Sequence, residues 1–292
     1  MRIALSGSQG LIGSALRRTL IAHGHELIPI RRDGGPGIAW DGGTHFDAES
    51  LRQCEAIIHL AGASVARRWT ARVRREIHDS RVRSTRALAE ILADGPGKAR
   101  VLIIASAIGW YGDRDDEILD EDSGPGTGFL ASVCQAWEAA ADPCRAHVRT
   151  VHLRFGMVLA PDGGALPRLI APLRWGLGGR LGSGQQWWSW IALDDAVRIA
   201  HGALADERWA GPINVVAPQP LRQCEFVRRL AAALRRPLWG PAAPAWALRA
   251  LLGGMADELL LASQRVLPAR LLALSWSWQR TSPAEVLADP AR

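Results

Sequence analysis

Residues 6–13 read SGSQGLIG and follow directly on a short apolar run at the start of the chain. Gly7, Gly10 and Gly13 stand between this strand pattern and an amphipathic helix pattern at residues 11–23. Glycines at such positions permit a tight turn, the approach of backbone to a pyrophosphate, and close packing of helix on strand. The first N–H groups of the helix favour the phosphates. The stretch therefore predicts a dinucleotide-binding loop with contacts from Gly7, Gly10, Leu11, Ile12 and Gly13. The alternative is a structural turn in a non-binding α/β protein.

The chain alternates short apolar strands with helices. Strand patterns occupy residues 2–5, 26–30, 56–59, 101–105 and 150–154, and helix patterns occupy residues 11–23, 72–92, 196–205, 244–252 and 257–266. This alternation predicts an α/β protein with a Rossmann-type, doubly wound parallel sheet. We expect a dinucleotide-binding domain over residues 1–240, with a glycine-rich substrate-side loop at 162–190. A small, mostly helical carboxy-terminal domain is expected over residues 241–292.

The composition of the 292 residues is that of an ordinary globular protein, with 48% hydrophobic and 22% charged residues. The pI near 10 comes almost wholly from arginine, since Lys98 is the only lysine. The skew towards arginine, and towards 13 Trp against 1 Tyr, is what a GC-rich genome produces without any function. We therefore expect no nucleic-acid partner. The apolar stretch 248–274 is interrupted by charges and proline, so no membrane partner is expected.

The cysteines and histidines lack metal-binding spacing, and no metal site is predicted. The four cysteines read as free thiols of a cytoplasmic protein.

The second strand pattern ends in Ile30-Arg31-Arg32, where a NAD-binding protein carries an acidic residue for the ribose hydroxyl. Two guanidinium groups at Arg31 and Arg32 suit a 2′-phosphate. The sequence therefore favours NADP(H) over NAD(H). The alternative is that these are two of many arginines, and Asp33 follows them directly.

Longer stretches of the chain resemble a known family. These are HLAG (59–62), RRWT (67–70), SRVRST (80–85), ASAIGWYGD (105–113), GSGQQWWSWIALDD (182–195), NVVAP (214–218) and MADELLLASQRVLPARLLA (255–273). Together with SGSQGLIG they resemble the atypical extended short-chain dehydrogenase/reductases called epimerase-family proteins. The resemblance implies a Rossmann domain that binds NADP(H), and a family-specific carboxy-terminal domain. The sequence departs from the family pattern at Gly254 and at residues 274–278.

Carried over position by position, the resemblance implies further cofactor contacts. They are Leu60, Ala61, Gly62, Glu76, Arg81 and Val158.

The Tyr-x-x-x-Lys pair of ordinary short-chain dehydrogenases is absent, since the chain has one tyrosine, Tyr111, and its lysine lies upstream. The resemblance places Phe129 and Val133 at the two positions, and neither exchanges a proton. Ser106 and Tyr111 are the candidate catalytic residues, with the acidic loop 113–117 behind them. Alternatively, Ser106 binds the nicotinamide amide and Tyr111 is structural.

The loop around QQWWSW combines glycines with amide and indole donors. Gln185, Gln186, Trp188 and Ser189 are the candidate substrate-binding residues, and the alternative is that they belong to the core. The sequence predicts an NADP(H)-binding oxidoreductase or epimerase that acts on a small carbonyl or sugar-like substrate. The rival hypothesis is a non-catalytic NADP(H) sensor or scaffold protein.

Overall fold

The computed structural model describes residues 1–287. The strands are β1 Arg2–Ser6, β2 Glu26–Arg31, β3 Ile38–Ala39, β4 Ala56–His59, β5 Val101–Ala107, β6 Ile118–Leu119, β7 Arg149–Phe155, β8 Met157–Ala160, β9 Gly163–Gly164, β10 Trp187–Trp188, β11 Trp190–Ala192, β12 Gly211–Val215, β13 Leu221–Arg222 and β14 Arg265–Val266. The α-helices are α1 Leu11–Ala22, α2 Ala48–Arg52, α3 Ala71–Asp94, α4 Phe129–Ala139, α5 Leu166–Arg174, α6 Leu193–Ala205, α7 Gln223–Ala233, α8 Ala245–Leu252, α9 Gly254–Ala256, α10 Ala269–Ala273 and α11 Pro283–Leu287. Short 3₁₀ turns lie at Ile108–Tyr111 and Asp142–Cys144, and a π-helical turn lies at Asp257–Leu261.

A seven-stranded sheet in the order β12-β7-β5-β4-β1-β2-β3 forms the centre of the fold. β1 pairs in parallel with both β2 and β4, and Ser6 lies opposite His59 in the register. The strand order runs outward from β1 in both directions, which is the doubly wound arrangement that the sequence predicts. The five predicted strands are β1, β2, β4, β5 and β7, and the sheet adds β3 and β12 at its edges.

The described residues form two compact units. The first unit comprises residues 1–107, 132–154 and 197–213, and the second comprises residues 108–131, 155–196 and the described chain from residue 214 onward. The predicted boundary at residue 240 falls within the second unit and stays a prediction. Residues 288–292 of the predicted terminal domain lie outside the described part of the chain.

The first unit has a core formed by fully buried residues of β1, β4 and β5, such as Leu5, Ile58 and Ile103. Each of these strands is apolar on both faces, as expected for a parallel sheet covered by helices. A further apolar cluster in the second unit packs Trp190 and Phe226 together. Within residues 1–287, no helix has the length and apolar character needed to cross a membrane.

The predicted helix at 257–266 is wrong over its second half. The chain forms a π-helical turn over Asp257–Leu261 and then the strand β14, which pairs with β6. Side-chain contacts from within the second unit hold this segment extended, since Ser263 N donates to Asp113 Oδ1 over 2.9 Å and Val266 N donates to Ser189 Oγ over 3.0 Å. These tertiary bonds outweigh the helical periodicity of the segment.

Candidate functional site

A pocket of about 620 Å³ lies in the first unit, where β1, β2 and β4 end. Ligands of open parallel sheets bind at this edge. The lining residues are Gly7, Ser8, Gln9, Gly10, Ile30, Arg31, Arg32, Asp33, Trp40, Gly42, Gly43, Leu60, Ala61, Gly62, Ala63, Glu76, Asp79, Ser80 and Arg83. Eight of the predicted cofactor contacts are among them.

The glycine loop leaves no room for a side chain at Gly7 or at Gly13. Gly7 has φ +69°, and a Cβ there would lie 2.8 Å from the Leu60 carbonyl carbon. A Cβ on Gly13 would lie 2.1 Å from the Gly7 carbonyl oxygen, so the loop packs directly on the first turn of α1. No side chain caps α1 within the described residues, and the N–H groups at Leu11 and Ile12 begin the helix. The loop and helix terminus therefore fit a pyrophosphate.

A buried polar chain lies behind the pocket, and sequence reasoning missed it. Ser6 Oγ accepts the N–H groups of Leu60 and Ala61, both over 3.2 Å, and lies 2.7 Å from His59 Nδ1. His59 Nε2 lies 2.9 Å from Ser84 Oγ, which in turn donates to the Ser80 carbonyl over 2.9 Å. Because Ser6 accepts two N–H groups, its own proton goes to Nδ1, and His59 carries its proton on Nε2.

His59 is therefore held in one neutral tautomer. Burial lowers the pKa of His59 from 6.5 to about 4, and the charge of Arg81 adds to this effect. The chain fixes the backbone of Leu60 and Ala61, which lines the pocket. The sequence signal that pointed here was HLAG, whose histidine is this buried residue.

Arg31 and Arg32 both line the pocket, but their environments differ. Arg31 makes a two-point ion pair with Asp33, with Nε 2.7 Å from Oδ1 and the second nitrogen 2.5 Å from Oδ2. This ion pair lowers the pKa of Asp33 to about 2, so its carboxylate stays charged. The Arg32 guanidinium lies 5.8 Å from the centre of the Trp40 ring. Among the described residues Arg32 has no ion-pair partner, so the site offers a phosphate this guanidinium together with the Arg31 guanidinium that is shared with Asp33.

Some of the other predicted cofactor residues line the pocket, and others lie outside it. Leu60, Ala61, Gly62 and Glu76 line the pocket. Arg81 does not: its guanidinium donates to the Ile77 carbonyl over 3.0 Å and stacks on Trp137 at 5.1 Å. Val158 belongs to the second unit, on β8, where it lies opposite Ile191. Both remain predictions as cofactor contacts.

Ser106 starts a second buried network of the first unit. Its Oγ donates to Glu138 Oε1 over 2.6 Å, and Arg154 donates to both Glu138 oxygens over 2.8 Å each. All three residues are at most 5% exposed. Cys134 lies one turn earlier on α4, and burial together with Glu138 raises its pKa to about 12, so the thiol is no nucleophile. Sequence reasoning did not identify Glu138 or Arg154 as parts of this network.

Tyr111 lies in the second unit and is fully buried. Its hydroxyl donates to Asn214 Oδ1 over 2.8 Å, and its ring packs against Leu119, Val216 and Val266. This arrangement matches the structural alternative for Tyr111, and a catalytic role stays a prediction. The acidic loop is likewise engaged, since Asp116 pairs with Arg222 over 2.7 Å.

The predicted substrate residues of the second unit mostly bind main chain. Gln186 Nε2 donates to the carbonyls of Leu181 and Leu260, over 3.0 and 2.9 Å. Ser189 Oγ donates to the Gln264 carbonyl over 2.8 Å, and Trp188 Nε1 donates to that of Leu260 over 3.3 Å. These three are buried, as the core alternative expects, whereas Gln185 is exposed. The guanidinium groups of Arg222 and Arg265 lie 4.3 and 4.5 Å from the centre of the Trp187 ring.

Comparisons with known proteins complete the description. A model of the NAD dependent epimerase/dehydratase family matches residues 3–216, and a domain of unknown function, DUF1731, matches residues 243–289. The chain is 38% identical over 291 residues to the epimerase family protein Mb2239 of Mycobacterium bovis, covering 98% of this chain and 96% of that protein. It is 35% identical to the human epimerase family protein SDR39U1, covering 95% of each.

Solved structures agree in fold. The human epimerase family protein SDR39U1, solved with NADPH, matches with a TM-score of 0.89 and 33% identity over 98% of both chains. A UDP-glucuronic acid 4-epimerase from Bacillus cereus, solved with NAD, matches with a TM-score of 0.76 and 17% identity over 99% of this chain and 97% of that one. The second likeness is one of fold alone.

Proposed function

Because this chain belongs to the NAD-dependent epimerase/dehydratase family, we propose that it binds NADP(H) and acts as an oxidoreductase or epimerase on a small carbonyl or sugar-like substrate. The observation that carries the proposal is the first-unit pocket, where the glycine loop meets the Arg31 and Arg32 pair. The human relative solved with NADPH supports the choice of dinucleotide.

Each part of the pocket has a role in this proposal. The loop at Gly7, Gly10 and Gly13, with the start of α1, would hold the pyrophosphate. Arg31 and Arg32 would hold the 2′-phosphate. When bound, the dinucleotide supplies a nicotinamide that exchanges a hydride. In the first unit, Ser106 offers a hydroxyl, and Glu138 accepts its hydrogen bond over 2.6 Å. This contact orients the Ser106 lone pairs away from Glu138, so that they can receive a hydrogen bond from a substrate hydroxyl.

A second candidate function is a non-catalytic NADP(H) sensor or scaffold. The buried Tyr111, whose hydroxyl is committed to Asn214, and the absence of Tyr-x-x-x-Lys favour it. Both functions require the same cofactor pocket, but only the enzyme would turn over a substrate.

The test is a titration of the purified protein with NADPH and, separately, NADH, followed by energy transfer from tryptophan to the reduced nicotinamide. We expect NADPH to bind more tightly, and Arg31→Ala with Arg32→Ala to weaken NADPH by about 100-fold but NADH by less than about threefold. The matched control is Arg17→Ala with Arg18→Ala, two exposed arginines of α1 outside the pocket. Equal losses for both dinucleotides would contradict the assigned role of the arginine pair.

A measurement of substrate turnover then distinguishes an enzyme from a non-catalytic sensor. A panel of carbonyl compounds is screened for oxidation of NADPH, and Ser106→Ala and Tyr111→Phe are compared on any substrate found. We expect Ser106→Ala to lower kcat with the Kd for NADPH unchanged. NADPH binding without turnover of any compound in the panel would favour the sensor.

A further inference from the structure

Two segments of the second unit, residues 163–193 and 226–256, carry eight arginines and no Asp or Glu. The whole chain has 35 basic and 29 acidic residues, so the remainder has 27 basic against 29 acidic ones. The formal net charge of +6 therefore arises from these two segments alone. A GC-rich genome accounts for arginine in place of lysine, but it does not account for this local absence of acidic residues.

Backbone hydrogen bonds join the two segments. The N–H groups of Trp239 and Gly240 donate to the Gly176 carbonyl over 3.2 and 3.1 Å. Ala243 N donates to the Arg180 carbonyl over 2.8 Å, and the Ala243 carbonyl accepts from Gly182 N over 2.9 Å. These bonds hold residues 176–182 beside residues 239–243, and we call the exposed surface of the two joined segments the Trp-Arg face.

Large apolar side chains project from the Trp-Arg face into solvent. Trp175, Trp239 and Trp246 are 83%, 84% and 71% exposed, and Leu177 and Leu251 are 67% and 73% exposed. Elsewhere in the described chain no large apolar side chain exceeds 54% exposure. Contiguous apolar patches on a protein surface mark sites of interaction.

The face also carries free positive charge. Five of its arginines are exposed and form no ion pair within residues 1–287: Arg168, Arg174, Arg180, Arg235 and Arg236. The other three pair with acidic residues that lie just beyond the segment ends. The partner of this face must therefore bring both negative charge and an apolar layer.

We propose that the Trp-Arg face docks on an anionic lipid membrane surface. Tryptophan suits the headgroup level, where its ring is in an apolar layer and its N–H is wet. Exposed arginines are drawn to anionic headgroups, and their stems lie along the apolar layer. The exposed leucines decide against a single-stranded nucleic acid, because bases stack on aromatic rings and gain nothing comparable from aliphatic side chains. The protein would lie on the membrane without spanning it, which differs from the expectation of no membrane partner.

The test is co-sedimentation of the full chain with vesicles of phosphatidylcholine alone and of phosphatidylcholine mixed with phosphatidylglycerol, at physiological salt. We expect binding to the mixed vesicles only. Arg174→Glu with Arg236→Glu should weaken it by about 30-fold or more, and Trp175→Ser with Trp239→Ser and Trp246→Ser by about tenfold or more. All five positions are exposed, so the fold is expected to survive, which circular dichroism and thermal unfolding check.

Matched controls carry the same changes elsewhere. Arg17→Glu with Arg18→Glu makes the same change in net charge on α1, and Ile21→Ser with Ile118→Ser and Leu272→Ser removes three other exposed apolar side chains. Both controls should bind the mixed vesicles like the unaltered protein. Equal weakening by the charge control would reduce the effect to net charge and overturn the proposal.

Three further outcomes would overturn it. The first is absence of binding to the mixed vesicles. The second is tight binding of a labelled oligothymidylate that only the Trp-Arg face variants lose, which would assign the face to nucleic acid. The third is a dimer in sedimentation velocity that the tryptophan variant dissociates, which would assign it to a second copy of this chain.

Discussion

Two buried polar networks of the first unit begin from a serine at the end of a parallel strand, yet they are built from opposite chemistry. Ser6, His59 and Ser84 form a neutral chain of hydrogen bonds that ends on a backbone carbonyl. Ser106, Glu138 and Arg154 form a charged network with a carboxylate at its centre. Both networks are removed from solvent.

The two networks hold different groups in place. The neutral chain has one arrangement of protons and uses it to fix the backbone at Leu60 and Ala61. The charged network keeps a carboxylate 2.6 Å from the Ser106 hydroxyl, which fixes the direction in which that hydroxyl donates. A buried ion pair gives a fold little stability over apolar residues of the same volume. Stability alone therefore does not explain why this ion pair lies beside Ser106.

Breaking the charged network should give the largest effect. Glu138→Ala leaves the Arg154 guanidinium buried without its carboxylate, which costs about 3–5 kcal/mol in the free energy of unfolding. Urea unfolding followed by circular dichroism measures this difference. The comparison variant is Glu117→Ala, which removes the surface partner of Arg114 and should cost about 1 kcal/mol or less.

The paired variant Glu138→Leu with Arg154→Met sharpens this result. It removes both charges together, so most of the lost stability should return while turnover does not. If the double variant is as unstable as Glu138→Ala, the ion pair stabilises the fold directly and the contrast between the two networks weakens.

The pH dependence of stability should give an intermediate effect from the neutral chain. His59 has an ordinary pKa of 6.5 when unfolded and about 4 when folded, so below pH 6.5 only the unfolded state binds the proton. The free energy of unfolding therefore falls as the pH drops from 6.5 towards 4, by about 3 kcal/mol for this residue. His152 is buried with a pKa also lowered to about 4, and it adds a loss of the same sign.

Urea midpoints between pH 7 and pH 4.5 measure the sum, and the NMR titration of the His59 ring proton isolates one residue. Its signal should keep the neutral position down to pH 5. A midpoint near 6.5 would mean that the imidazole reaches solvent, and the neutral chain would then be open rather than closed.

The sequence predicted those features of the structure that depend on residues close together in the chain. The glycine loop, the five apolar strands and the arginines after β2 each follow from residues adjacent in the chain. The two networks do not, because Ser6 and His59 are 53 residues apart and Ser106 and Glu138 are 32 apart. Only the parallel register of β1 with β4, and the packing of α4 within the first unit, bring such residues together.

Distant contacts also explain the incorrect helix prediction. The helix expected at 257–266 has the right periodicity, but Ser189 and Asp113 pull its second half into an extended strand. The structural alternative for Tyr111 likewise depends on a distant partner, since Asn214 stands 103 residues away. A single sequence shows which residues carry chemistry, and distant contacts decide whether that chemistry is already satisfied.

The smallest expected effect comes from the far end of the neutral chain. Ser84→Ala removes the acceptor of the His59 Nε2 proton, and Ser6 already donates to Nδ1, so the imidazole cannot change tautomer to compensate. One unsatisfied buried donor costs about 1–2 kcal/mol. Ser14→Ala is the matched helical control, since its Oγ donates to the Leu11 carbonyl over 3.2 Å and should cost at most about 0.5 kcal/mol. The Kd for NADPH should stay within about threefold in both variants, because Ser6 still holds Leu60 and Ala61. A large loss of NADPH binding in Ser84→Ala alone would show that the pocket depends on the whole neutral chain as far as Ser84. The neutral chain would then contribute directly to cofactor binding.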